Sequence, residues 1–275
     1  GKLQAVGNGA FTGSHRYGSA RSLASGLERG YATASTDTGH EGGSASFALG
    51  HPEKVIDFGW RAVHEMTVTA KQVIAAFYGS GPEYSYWYGC SAGGRQAMME
   101  AQRFPGDYDG IIAGAPGNDW TGRAAGSLRI ANYLGAHEDA GLSAAKVELV
   151  RMAVLEACDA ADGVIDKVVG DPERCDFDPA VLQCSGAGGD GCLTAAQVNT
   201  VKMLYSSPEN PKTGRAITGV LPGSESNWTD LGWTRSARAS GLDQYRYLVY
   251  GDPEWTVDRF DFGTDIVRAE ETDGG

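Results

Sequence analysis

The sequence predicts an α/β fold: parallel strands covered by helices, with a large inserted segment. Three observations predict it. Strand-like and helix-like stretches alternate over the first 118 residues, a serine flanked by glycines stands between one strand and the next helix, and after residue 118 this alternation stops. We therefore divide the chain into a core segment, 1–118, and an inserted lid, 119–275, packed over a sheet that the first segment only begins.

The elements follow in order. YATASTDTG (31–39) combines β-branched and aromatic residues with a Gly-containing end, and reads as a buried strand stopping at a functional edge. In 58–79, Phe58, Ala62, Val63, Met66, Ala70, Val73, Ile74 and Phe77 recur at helical spacing and Gly79 ends the run. YSYWYG (84–89) is an aromatic strand, AGGRQAMMEAQRF (92–104) a helix and YDGIIAGAP (108–116) an apolar strand. Such a β-α-β-α-β order implies right-handed crossovers and a parallel sheet. In the second segment, helices 142–158 and 193–208 are each opened by a Ser or Thr suited to N-capping.

With 35 acidic against 23 basic residues, the formal net charge is −12, which argues against nucleic acid or an anionic membrane surface as a partner. No apolar run reaches the roughly 18 residues of a membrane span. Four of the five cysteines (Cys158, Cys175, Cys184, Cys192) crowd into 35 residues, which suggests local disulfides and an oxidising, secreted or periplasmic location. Cys90 is left without a partner.

The residues Gly89-Cys90-Ser91-Ala92-Gly93 match G-x-S-x-G in the context that pattern requires, an apolar strand before and a helix after. Small residues two before and two after the serine let strand and helix approach, and the helix N-terminus offers N–H groups to an oxyanion. Ser91 is the candidate nucleophile. A base and an orienting acid should follow in the chain. Only His137 follows Ser91, 46 residues on and in a polar linker, with Asp107, Asp109 and Asp119 between them; it reads as a surface histidine. His64 reads as structural; His40, at a strand end, reads mainly as a solvated loop residue, with lining the pocket as its other use. The simplest account is that the chain stops before the base and acid. Separately, Asp159, Asp162 and Asp166 recur at intervals of three and four around Gly163, a pattern open to calcium or to a solvated acidic turn.

GNGAFTGS (7–14), GYATASTDTGHEG (30–42), 45–67, 84–116 and CDAADGVIDKVV (158–169) closely resemble the tannase and feruloyl esterase family, which includes mono(hydroxyethyl) terephthalate hydrolase. The resemblance implies an α/β-hydrolase core, incomplete here, with a large lid, and hydrolysis of aromatic carboxylic esters. It implies Ser91 as nucleophile, an oxyanion hole from the N–H groups of Ala92 and Gly9, and a disulfide between Cys90 and a cysteine beside the catalytic histidine, beyond Gly275. It also implies a structural calcium bound by Asp159, Asp162 and Asp166 with the carbonyls of Val164 and Val168. Pairing Cys158 with Cys175 and Cys184 with Cys192 would brace that region. Trp228, Trp233, Tyr245, Tyr247 and Trp255 read mainly as lid packing, with a clamp for a phenolic ring as their other use. The expected activity is a secreted serine esterase for small aromatic esters, and the alternative is a non-catalytic binder of phenolic or cell-wall ligands on the same scaffold.

Overall fold

The chain opens with a strand, β1 (Lys2–Val6), whose Leu3, Ala5 and Val6 are buried. The computed structural model describes residues 1–14, 19–186, 189–229 and 239–272. Helix α1 (Ser19–Glu28) leads to β2 (Ala32–Ala34), a short, half-buried strand. The strand expected over 31–39 is thus three residues long, and the remainder becomes the loop holding Thr38 and His40. A short helix α2 (Pro52–Ile56) passes through a π turn (Asp57–Arg61) into α3 (Ala62–Tyr78), closed by Gly79 at φ +77°. The helical stretch therefore begins six residues earlier than its apolar spacing indicates.

Next come β3 (Tyr84–Cys90), α4 (Ala92–Arg103) and β4 (Gly110–Gly114). The four strands form one sheet in the order β2-β1-β3-β4, with every neighbouring pair parallel. Ala5, Val63, Trp87, Ala97 and Tyr108 make the core between sheet and helices. The apolar stripe of α3 is only partly used: Phe58 and Val63 are buried, whereas Val73 and Phe77 are exposed. Lengths explain this, since a 17-residue helix runs about 25 Å and a five-residue strand about 17 Å.

The described residues fall into two compact units. The first comprises Gly1–Trp120, Asp243–Glu254 and Ala269–Gly275; the second comprises Thr121–Leu242 and Trp255–Arg268. Within the first, Asp243 accepts hydrogen bonds from Ser44 Oγ (2.7 Å) and Ala45 N (3.2 Å). The second unit is built from α5 (Trp120–Ala136), α6 (Ala144–Cys158) and α7 (Ala195–Tyr205), with the short helices α8 (Ala239–Asp243) and α9 (Thr264–Glu270) following in the chain. Ser143 caps α6 by accepting from Lys146 N, and Thr194 caps α7 in a reciprocal box with Gln197. Leu142, Val150, Val154, Val201, Leu204 and Trp228 centre this unit's core.

Cys158 pairs with Cys175 and Cys184 with Cys192. The 17-residue separation of the first pair contributes about 3 kcal/mol by restricting the unfolded chain. Of the aromatic residues considered as a ring clamp, Trp228, Tyr245 and Trp255 are fully buried, and Tyr247 packs against the Phe11, Phe47 and Phe58 cluster. Trp233 lies outside the described residues.

Candidate active site

Backbone strain marks one edge of the sheet. Among the described residues, five non-glycine residues have positive φ: Ala10, Thr38, Ser91, Ala115 and Lys167. The first four each follow the carboxyl end of a different strand, β1 to β4 in turn. Because the strands are parallel, these ends share one edge, where ligands bind in open α/β sheets. Strain of this kind costs about 1–3 kcal/mol per residue and persists where the surroundings enforce it.

Ser91 carries the most unusual geometry, φ 60° and ψ −116°, directly between β3 and α4. Three hydrogen bonds hold its backbone: its N–H donates to Gly114 O (3.0 Å), and its carbonyl accepts from Arg95 N (3.0 Å) and Gly117 N (3.2 Å). The side chain is exposed. Close approach of backbones makes the turn possible. A Cβ on Gly89 would lie 2.2 Å from Gly93 O, and one on Gly94 would lie 2.5 Å from Gly114 O. Gly93 faces Gly7, where an added Cβ would lie 2.5 Å from Gly93 Cα. Gly89 and Gly94 thus stand where a methyl group cannot, and a Cβ on Gly93 would press on Gly7 Cα at 3.1 Å, the close packing that a nucleophile elbow requires.

The loop after β1 is fastened to this helix. Asn8 N donates to Gln96 Oε1 (3.4 Å), Gln96 Nε2 donates back to Asn8 Oδ1 (2.7 Å), and Asn8 Nδ2 reaches the carbonyls of Thr12 (2.9 Å) and Thr36 (3.4 Å). Asn8 therefore ties the loops after β1 and β2 to α4, with Gly9 one residue further on. Ala92 begins α4, so its N–H has no intrahelical acceptor. Sequence reasoning missed Asn8 and Gln96, whose reciprocal amide pair spans 88 residues.

Arg95 was also missed. Its guanidinium donates to the carbonyls of Phe58 (3.0 Å) and Gly59 (3.1 Å) in the π turn, and lies over the Phe58 ring at 4.7 Å and the Trp120 ring at 5.8 Å. Burial pushes its pKa down to about 10, which still leaves it charged at neutral pH. One turn after Ser91, it fixes the aromatic wall of Phe11, Phe58 and Trp120 beneath the elbow.

His40, His64 and His137 are engaged elsewhere. His40, expected to be solvated, is buried: Nε2 meets Phe11 O at 2.8 Å and the ring stacks on Phe47 with centroids 3.9 Å apart. Gly13 and Gly42 bridge the two loops beside it. His64 Nδ1 faces Asp107 Oδ2 at 2.7 Å, and Asp109 Oδ2 accepts from Ser85 N at 2.7 Å, so both carboxylates serve the amino edge of the sheet. His137 is exposed and bonded to Tyr133 O at 2.9 Å. Cys90 is exposed and unpaired. Clefts of about 790 and 590 Å³ open beside Tyr86 and Tyr88 and beside His40 and Phe47, and Ser91 lines neither.

In the acidic loop, Asp159 Oδ1 accepts from Asp166 N (3.2 Å) and Lys167 N (3.1 Å), Asp162 Oδ1 from Val164 N (2.9 Å) and Asp166 Oδ1 from Val168 N (3.0 Å). Gly163 at φ +94° and Lys167 at φ +67° turn the backbone round, and a Cβ on Gly170 would strike Asp162 Oδ2 at 2.0 Å. An all-oxygen, anionic set suits a hard cation. The three carboxylates do not, however, gather one oxygen each within 4.8 Å of one another, as His64, Glu100 and Asp107 gather theirs.

A parallel sheet crossed by helices, with a strained serine on the strand-to-helix turn, is the architecture of the α/β hydrolases. The chain belongs to the tannase and feruloyl esterase family, whose sequence profile matches residues 1–244. It is 40% identical over 279 residues to an uncharacterized esterase of Xanthomonas campestris pv. campestris, covering 96% of this chain and 48% of that protein. With feruloyl esterase B of Aspergillus niger the identity is 34% over 228 residues, covering 82% and 44%. The crystal structure of feruloyl esterase B from Aspergillus oryzae superposes with a TM-score of 0.92 at 29% identity, over 99% of this chain and 54% of that one. Tannin acyl hydrolase from Aspergillus niger shares the fold, with a TM-score of 0.74 at 23% identity, over 99% of this chain and 55% of that one. The chain spans about half the length of the curated relatives it matches.

Proposed function

We propose that this chain carries the nucleophile and oxyanion-binding half of a secreted serine esterase for feruloyl, galloyl or related phenolic esters. The observation that carries this reading is Ser91 itself: an exposed hydroxyl on a residue at φ 60°, ψ −116° between strand and helix. Ser91 Oγ attacks the ester carbonyl carbon and gives up its proton to a base. The N–H groups of Ala92 and Gly9 stabilise the oxyanion, the alcohol leaves, and water then releases the aromatic acid from the acyl-enzyme. Cys90, adjacent to the nucleophile, is assigned to a disulfide that holds the base in place. The paired cysteines support an oxidising compartment. Among the described residues no helix is long and apolar enough to cross a membrane.

The test is intact-mass measurement of full-length protein quenched during turnover of an aromatic ester. A gain equal to the acyl group is the expected result. Binding of the ester with neither product nor adduct supports the scaffold-only alternative instead.

Calcium is proposed for the Asp159–Val168 loop, bound by Asp159, Asp162 and Asp166 with the carbonyls of Val164 and Val168. Its role there is to brace the loop next to the Cys158–Cys175 bridge. Chelation is expected to lower the melting temperature of the wild type and to leave Asp162→Ala unchanged. Equal melting of the wild type with and without chelator contradicts the site.

A further inference from the structure

Three side chains that the proposed chemistry does not use meet at the far end of α4. His64, on α3, stacks on Phe104 with ring centroids 3.8 Å apart and 12° between the planes, and its Nδ1 lies 2.7 Å from Asp107 Oδ2. Glu100, in the last turn of α4, is 0% exposed, and neither of its carboxylate oxygens has a hydrogen-bond partner. One donor atom from each of the three lies within 4.8 Å of the others. Neighbouring donors point elsewhere: Lys71 Nζ donates to the main-chain carbonyl of Asp107 at 2.5 Å, and the Tyr108 hydroxyl is engaged with that of Thr67. A buried carboxylate with no donor is strongly disfavoured until a proton or a cation joins it.

The geometry points to a binding site for a divalent transition-metal ion of the zinc class, held by His64 Nδ1, Glu100 and Asp107. One imidazole nitrogen, two carboxylate oxygens and no thiolate suit zinc or cobalt, whereas the imidazole argues against calcium and magnesium. Two carboxylates and a neutral imidazole carry the two negative charges that such an ion cancels. Bonds of about 2.1 Å in a tetrahedral shell place donors roughly 3.4 Å apart, so His64 Nδ1 and Asp107 Oδ2, now 2.7 Å apart, have to open to admit the ion, while Glu100 already lies within 4.8 Å of both. The side chains of His64 and Asp107 keep 26% and 15% of their surface exposed, which gives the ion an entry path and a water as fourth ligand. On binding, Nδ1 of His64 takes the metal and Nε2 the proton.

The stacked Phe104 fixes the plane of the imidazole, as an orienting neighbour of a metal ligand should. Such an ion would join α3, α4 and the turn before β4 at the amino edge of the sheet. Glu100 lies nine residues along α4 from Ser91, about 13 Å, so the site is structural rather than part of the ester chemistry.

The test uses full-length protein stripped of metal and titrated with Co²⁺. The expected result is one equivalent bound with visible d–d absorption. Asp162→Ala should retain this band, while Glu100→Gln and His64→Ala should lose affinity by more than the roughly 10–100-fold that outer-shell changes cost. In zinc-soaked crystals of the wild type, anomalous density is expected between His64 Nδ1, Glu100 and Asp107, a readout independent of whether the variants fold. Absence of that density in excess zinc, density only at the Asp159–Val168 loop, or a Co²⁺ band unchanged in both variants overturns the proposal.

Discussion

Ser91→Ala is expected to retain the fold and to lower kcat for aromatic ester hydrolysis by roughly 10⁴- to 10⁶-fold, the scale on which a nucleophile acting together with its base is lost. KM should change little, because the hydroxyl contributes to the transition state more than to ground-state binding. The strained backbone adds a second expectation. Alanine keeps the cost of φ 60°, ψ −116°, whereas glycine relieves it. After allowance for the greater chain entropy of glycine, Ser91→Gly should be more stable than Ser91→Ala by about 1 kcal/mol and equally inactive. Denaturant unfolding beside steady-state kinetics checks both. Equal activity of wild type and Ser91→Ala contradicts the nucleophile assignment, and equal stability of the two variants contradicts enforced strain.

Gly89→Val should have the largest effect on folding. The first added atom already lies 2.2 Å from Gly93 O and 2.4 Å from Gly93 C, both rigid backbone in the first turn of α4. No rotamer choice relieves a clash at Cβ, so α4 has to move away from β3. That movement also separates Gly93 from Gly7 and breaks the approach of α4 to the loop after β1. Overpacking of a tight contact costs typically 1–3 kcal/mol, and a backbone-to-backbone clash belongs at or above the top of that range. We expect a loss of about 3 kcal/mol or more, with activity lost even in the fraction that folds. A loss under about 1 kcal/mol measured by urea unfolding would show that the elbow is not packed as described.

The elbow was legible because its signal is local. Gly89, Ser91 and Gly93 stand within five residues, and the strand and helix beside them have clear patterns. The caps at Ser143 and Thr194 were legible for the same reason, since each contacts residues three positions away. The first strand was not read, because Lys2–Val6 is a short run at the start with four consecutive buried residues and no alternation. Helix α5 escaped because it is buried nearly all round, which erases the one-sided period of an amphipathic helix.

Charged residues on α4 were missed for a further reason. Nothing in the helical reading of 92–104 singles out Arg95 or Glu100, yet the first lies over two aromatic rings and the second is sealed beside His64 and Asp107. Their partners come from other elements, 36 to 37 residues away for Arg95, and no spacing in the sequence encodes such pairs. His40 failed the same way: its contact with Phe11 O spans 29 residues.

Covalent labelling of the full-length protein with a fluorophosphonate probe, mapped by peptide mass, reports whether Ser91 is an activated nucleophile. The predicted result is a single adduct on the peptide containing Ser91, absent in Ser91→Ala. Failure of the wild type to label, or an adduct on a different residue that persists in Ser91→Ala, would contradict it.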